Sequence, residues 1–515
     1  MRNVILLAAL IATGAVHAEN PLPALVAEFT DLSREMDPVL ASQRGDSRAA
    51  TRWPDNSPGA VAARLQRLDA LDAKLGSPAL GALEAAQALD RDWLRWRADA
   101  LAGGMRRDAE RIAFISGDGF YTVADYAALK TSPRNADEAA RWVERIEALP
   151  VYYAREQANL QRGIRTGFTQ PRITVERAIA DMDARLAREA RASPLLAPLD
   201  ALPTTVPDAE RLALRKRAMH AIKGPVREAE EGLARFLREQ YLPAARTGIG
   251  ASTLPGGVDW YDYLVHLHTT TALTPAEIHA LGESEVQRIR SAMDRVIGGT
   301  GFEGGFAEFI RRARTDPRFY VDATRWGEKA AEVAKRADAA LPGFFGTLPR
   351  LSYGVGPIPK SLESSSAGYL PGSPERGVAG MVVYKPWLSE KLPTFGIAAW
   401  VLHEGTPGHH LQIALSQENS AAPEYRRNDD ITAFVEGWGL YAEKLGEDMG
   451  IYRDPWERFG RLSLEMWRAC RLVIDTGIHA MGWSRERAAA CLRENSALPE
   501  AEIGFELDRY IAWPG

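Results

Sequence analysis

Cysteine is scarce in this chain of 515 residues, which has only Cys470 and Cys491. Their spacing is not that of a thiolate metal site, so any metal must be held by histidine and carboxylate. Both lie in helical patterns and are read as ordinary core residues. A disulfide in an oxidising compartment stays open, because sequence does not set the distance between them. An excess of charge is also missing, with 63 Lys and Arg against 68 Asp and Glu and a formal net charge of −5. That balance offers no field for nucleic acid or for an acidic membrane surface. Long hydrophobic runs are absent too. The run from Val4 to Ala12 is well short of the roughly 20 residues a membrane helix needs, and no later stretch reaches that length. Arg2 before that run and the small residues Val16 and Ala18 after it read as a secretory signal over residues 1–18. No cysteine follows at a lipidation position. The mature chain is therefore expected to be periplasmic or secreted, with no membrane span.

What the sequence does have is helical periodicity. From about Pro21 to Leu242, segments such as SPGAVAARLQRLDALDAKL place apolar residues at spacings of three and four. Ser57-Pro58 opens one helix, and Gly163 and Gly167 close another. Thr274, Pro275 and Glu277 read as N-cap, first position and N3 of a capping box. No repeat period indicates a solenoid. Residues 19–250 read as a helical scaffold and residues 251–515 as the chemical region, with a soft boundary inside one continuous fold. Residues 350–395 differ, being rich in Gly, Pro and Ser with a β-like run from Met381 to Tyr384. They are expected to form a long loop with a hairpin, walling a substrate cleft.

Three of the nine histidines fall in LHEGTPGHHLQ, residues 402–412. The apolar run TFGIAAWVL before it implies a buried helix, where His403 and Glu404 would be costly unless engaged, and metal coordination is the simplest engagement. Two histidines four residues apart on a helix lie about 6 Å apart along its axis and share a face. His409 and His410 lie six and seven residues after His403, so neither can join it on an unbroken helix. Pro407 removes the N–H that would meet the His403 carbonyl, and Gly405 and Gly408 permit unusual backbone. The segment GTPG is therefore expected to bulge. His409 takes the second position if two residues are absorbed, and His410 if three. His409 is favoured because the Gly-His step then stands where many zinc peptidases carry it. Glu436, 27 residues after His409 in ITAFVEGWGLYAEKLGEDMG, is the expected third ligand. Glu443, two turns further along that helix, is either a supporting group or a surface charge.

The segments HEGTPGHHLQ and EGWGLYAE resemble the bacterial family called domain of unknown function 885, regarded as metallopeptidase-like. The resemblance extends to YLVHLHTTTALTPAEIHALG, ESSSAGYLPGS, RLVIDTGIHAMGWS and ELDRYIAWPG. More distantly the family is similar to thimet oligopeptidase and Taq-type carboxypeptidase. This implies a mainly α fold with a deep cleft, and it implies small or unfolded peptides as substrates. Those relatives carry an uninterrupted H-E-x-x-H, from which this chain departs. Members typically continue beyond the step Trp513-Pro514-Gly515.

The expected chemistry follows from the residue types. One zinc ion per chain on His403, His409 and Glu436 would polarise a peptide carbonyl and acidify water, with Glu404 as general base. His479 and Tyr510 are candidate donors to the oxyanion, with Tyr369 and Tyr384 as further possibilities. His479 also belongs to a stripe with Arg471 and Asp475, which reads equally as intrahelical ion pairs. Two other readings use the same residues: a zinc amidohydrolase acting on non-peptide amides, and a peptide-binding helical protein without catalysis. Sequence does not set the oligomeric state.

Overall fold

A computed structural model describes residues 21–359, 367–374, 377–428 and 431–515. The expected signal sequence, residues 1–18, lies outside the described residues. The chain is mainly helical, as its periodicity indicates. Among the described residues no helix is long and apolar enough to cross a membrane.

Local signals place many of the helix ends. Helix Pro275–Gly298 begins on the expected capping box, in which Thr274 Oγ1 accepts the Glu277 N–H and the Glu277 carboxylate accepts the Thr274 N–H. Ser57 precedes helix Pro58–Leu75. Gly167 ends helix Leu149–Thr166 at φ 70°, a left-handed conformation that favours glycine. Gly163, expected to close that helix, lies inside it.

The N-terminal helices enclose a core that includes Trp142, Tyr152 and Tyr241. Packing crosses the soft boundary near residue 250, since Phe168 shares a cluster with Ala251, Trp260 and Tyr261. Gln170 Nε2 donates to the carbonyls of Phe114 (2.6 Å) and Ala512 (3.1 Å), tying the two regions together. The C-terminal region is organised by helix Pro455–His479. One face buries Phe459, Leu462, Met466, Cys470, Val473 and Ile474, the spacing of a core stripe. Its other face, running from Gly460 through Ser463 and Trp467 to Arg471, looks into a cavity.

Two further expectations need correction. Residues 350–395 hold more than a hairpin: strand Gly380–Tyr384 lies between Tyr353–Pro357, which is parallel to it, and Gly368–Leu370, which is antiparallel. The short, Gly-rich strand YGVGP carries too little alternation to announce itself. Cys470 and Cys491 are not independent core residues but form a disulfide, with Cα atoms 5.8 Å apart. It joins helix Pro455–His479 to helix Arg485–Asn495, and the proximity comes from the turn between them, which helical periodicity does not reveal.

The bond spans 21 residues. A loop of that size restrains the unfolded chain enough to stabilise the fold by about 3 kcal/mol. The double substitution Cys470→Ala, Cys491→Ala should lower the urea midpoint accordingly, and mild reduction should reproduce the shift. Equal midpoints for oxidised and reduced protein would show that the bond contributes nothing.

Candidate metal centre

Helix Ile397–Glu404 buries Ile397, Ala398, Ala399, Val401 and Leu402, so its last turn delivers His403 and Glu404 from the core. The helix stops there and a new one runs His409–Glu418. The GTPG segment is thus a four-residue break rather than a bulge inside one helix, and the Thr406–Pro407 peptide bond is cis. A Cβ at Gly408 would overlap the carbonyl oxygen of His403, so only glycine lets the chain fold back so closely. Three side chains pin the break. Thr406 Oγ1 donates to Asp338 (2.8 Å), Tyr353 Oη lies 3.0 Å from Thr406 Oγ1, and Trp438 Nε1 donates to the Pro407 carbonyl (2.8 Å).

The break brings His409 to His403, with ring centroids 4.6 Å apart and planes at 81°. Helix Thr432–Asp448 presents Glu436 to both rings. Its carboxylate lies 3.3 Å from His403 Nε2 and 3.7 Å from His409 Nε2. One donor atom from each of the three residues falls within 4.8 Å of the others. Tetrahedral zinc with bonds of about 2.1 Å holds its ligands about 3.4 Å apart, so these separations fit the ion. The donor set, two imidazoles and a carboxylate, suits zinc and several other first-row ions. His410 points elsewhere: its Nδ1 lies 2.9 Å from Tyr369 Oη, and its ring packs on Tyr353 at 4.4 Å.

A second layer holds His403 in place. Its Nδ1–H donates to Glu443 Oε1 (2.9 Å), leaving Nε2 to face the centre. Glu443 is fully buried, and Arg468 reaches the same oxygen at 3.0 Å. Glu443 is therefore the supporting group of the two alternatives. Behind the ring stands Gly439, where a Cβ would lie 2.5 Å from His403 Cε1.

The carboxylates favour a positive charge between them, one that a proton on His403 carries and that a bound cation would replace. Burial opposes charge on His403, but hydrogen bonds to Glu436 and Glu443 prevail and hold its pKa up at about 9. Burial and the neighbouring His403 push His409 down to about 4, so it is neutral and has a lone pair to offer. The Glu436 side chain is 52% exposed; its partial desolvation opposes ionisation, yet the His403 hydrogen bond and nearby positive charge bring it to about 2. Glu404 is not in the triad. Its Oε2 lies 3.9 Å from His409 Nε2, the Tyr369 amide hydrogen-bonds its carboxylate, and burial raises its pKa to about 7.

These groups open onto a cavity of about 390 Å³, whose lining includes His403, Glu404, His409 and Glu436 together with Tyr369 and Tyr384. His479 does not line it. Its Nδ1 accepts the Ala251 N–H and its Nε2 donates to the Tyr510 carbonyl, both at 2.9 Å, so it is a fully buried structural histidine. Tyr510 stands one layer behind the wall, its hydroxyl accepting from Trp467 Nε1 (2.7 Å) and Arg471 Nε (2.8 Å). Both expected oxyanion donors are therefore displaced from the cleft, and only Arg471 of the polar stripe reaches it. Sequence reasoning passed over Arg468, Gly439, Asp338 and Tyr353. The spacing of Arg468 and Arg471 on one helix face was the available signal for the cationic wall.

Gly439→Ala should push the His403 ring aside and weaken zinc binding by about 10–100-fold, the usual effect of disturbing a ligand's support. Gly437→Ala, on the same helix with nothing within 4 Å of the new methyl, should bind normally. Chelator competition reads both, and equal affinities would contradict the packing described.

Comparison with known proteins gives a family and a fold. No curated protein matches the chain. A solved structure called "putative lipoprotein", from Colwellia psychrerythraea, superposes with a TM-score of 0.88 at 21% identity, covering 96% of this chain and 89% of that one. Another, a "putative lipoprotein of unknown function" from Shewanella oneidensis, gives 0.68 at 16% identity and covers 96% and 90%. At those identities the likeness is one of fold. The family described as "Bacterial protein of unknown function (DUF885)" matches residues 38–515, and the chain belongs to it.

Proposed function

We propose that this chain is an exported zinc-dependent peptidase acting on small or unfolded peptides. The observation that carries the reading is the convergence of His403, His409 and Glu436 beside a partly buried Glu404 that lies outside the triad, all in one cavity. A zinc ion held there supplies a Lewis acid for a peptide carbonyl and a lowered pKa for water.

The chain's own residues supply the rest. The hydrogen bond to Glu443 keeps a proton on Nδ1 of His403, so that an incoming cation would displace the other proton and meet the Nε2 lone pair. Glu404 accepts a proton from water and returns it to the leaving amine. Burial raises its carboxyl to about 7, which matches a base working near neutrality. The Tyr369 amide, at the edge of the small sheet, holds that carboxylate in position. A protein that only bound peptides would have no use for such a base. Export is supported by the disulfide, which persists in oxidising compartments, and by the N-terminal signal pattern.

The test is digestion of a mixed peptide library by zinc-loaded protein. Glu404→Gln should keep its zinc and lose about 10²–10⁴-fold in turnover. His403→Ala and Glu436→Ala should lose metal and activity together. Undiminished peptide hydrolysis by the Glu404→Gln variant would overturn the assignment.

A further inference from the structure

The cavity extends beyond the His403 cluster to a wall that carries several charged side chains among apolar ones. Lys385 follows strand Gly380–Tyr384, is only 6% exposed and lines that wall. Its Nζ lies 4.3 Å from the centroid of the Phe505 ring. Among the described residues no carboxylate stands within ion-pair distance of it, although Glu502 and Glu506 are near enough to be felt. Glu506 is committed to two guanidinium groups, Arg471 at 3.1 Å and Arg509 at 2.8 Å. Glu502 Oε2 is buried with no hydrogen-bond partner among the described residues.

The charge at this end does not cancel. Lys385, Arg471 and Arg509 face Glu502 and Glu506, three cations against two carboxyl groups. Burial raises the Glu502 carboxyl to about 7, so near neutrality part of its charge is lost and the positive excess grows. A buried ammonium without an anion is costly, and a ligand carboxylate would relieve that cost. Phe395, Trp400 and Trp467 supply apolar surface in the same cavity. Any peptide, whatever its sequence, carries one carboxylate at its C-terminus.

We propose that Lys385, backed by Arg471 and Arg509, receives the free C-terminal carboxylate of a peptide, so that the chain releases short C-terminal fragments instead of cutting at interior positions. The inference rests on the peptidase reading. The reaction is plain hydrolysis, in which one water adds across the amide. The C–N bond breaks, the acyl part leaves as a carboxylate, and the proton taken by Glu404 goes to the freed amine. The fragment so released is the one whose carboxylate is held at Lys385.

Binding separates this idea from turnover. Calorimetry on full-length, zinc-loaded protein carrying Glu404→Gln would compare acetyl-Ala-Ala-Phe with its C-terminal amide. The free acid should bind about 100-fold more tightly, the scale of losing one partner of a desolvated charge pair. Adding Lys385→Met should abolish the preference and Lys385→Arg should retain it. Equal binding of acid and amide by the Lys385-containing protein would overturn the proposal, as would a preference that survives Lys385→Met. An amidated peptide bearing an Asp side chain that bound as tightly as the free acid would also overturn it, in favour of side-chain recognition. A carboxylate preference in binding, with no hydrolysis by the native chain, would sustain the subsite and overturn the peptidase reading alone. Hydrolysis of interior bonds in amidated peptides at undiminished rate would do the reverse.

Discussion

The hydrogen bond from His403 Nδ1 to the buried Glu443 carboxylate is the constraint on which the site depends. A carboxylate removed from water is strongly destabilising unless it is matched, and here it is matched by one imidazole and one guanidinium, that of Arg468. The match fixes the plane of the His403 ring and turns Nε2 toward His409 and Glu436. It also explains the glycine at 439, since the ring occupies the volume a side chain would need. Glu436 and Glu443 lie on one helix and serve opposite sides of the same ring.

The second constraint is the break between residues 404 and 409. An unbroken helix would carry His409 away from His403. The structure instead stops one helix, folds back through Gly405–Gly408 and starts another, with Asp338, Tyr353 and Trp438 holding the link. His410, one residue further, is taken up by Tyr369 and Tyr353 and stands outside the cluster. Helix Pro455–His479 joins the two halves of this arrangement. Its apolar face fills the C-terminal core, and its other face supplies Arg468 to the His403 side of the cavity and Arg471 to the far end.

Much of this was legible in the sequence because it is local. Helical periodicity, the capping box at Thr274 and the apolar run before His403 are all read within a few residues of chain. The triad was legible because His403, His409 and Glu436 are unusual residues in apolar surroundings, and Glu404 because it adjoins the first of them. What sequence did not show depends on long-range packing. The pairing of Cys470 with Cys491, the parallel strand Tyr353–Pro357, and the burial of His479 against Ala251 and Tyr510 are set by tertiary contacts. His479 shows the limit clearly: a histidine in a polar stripe looks the same in sequence whether it faces a cleft or satisfies two backbone groups.

The central claim is that His403, His409 and Glu436, and not His410, hold one metal ion. Zinc content and affinity of His409→Ala and His410→Ala, measured side by side with the native chain, test it most directly. The native chain and His410→Ala should each carry about one zinc per chain, and His409→Ala should carry little or none. Zinc retained by His409→Ala and lost by His410→Ala would contradict the account, as would a native chain that binds no metal at all.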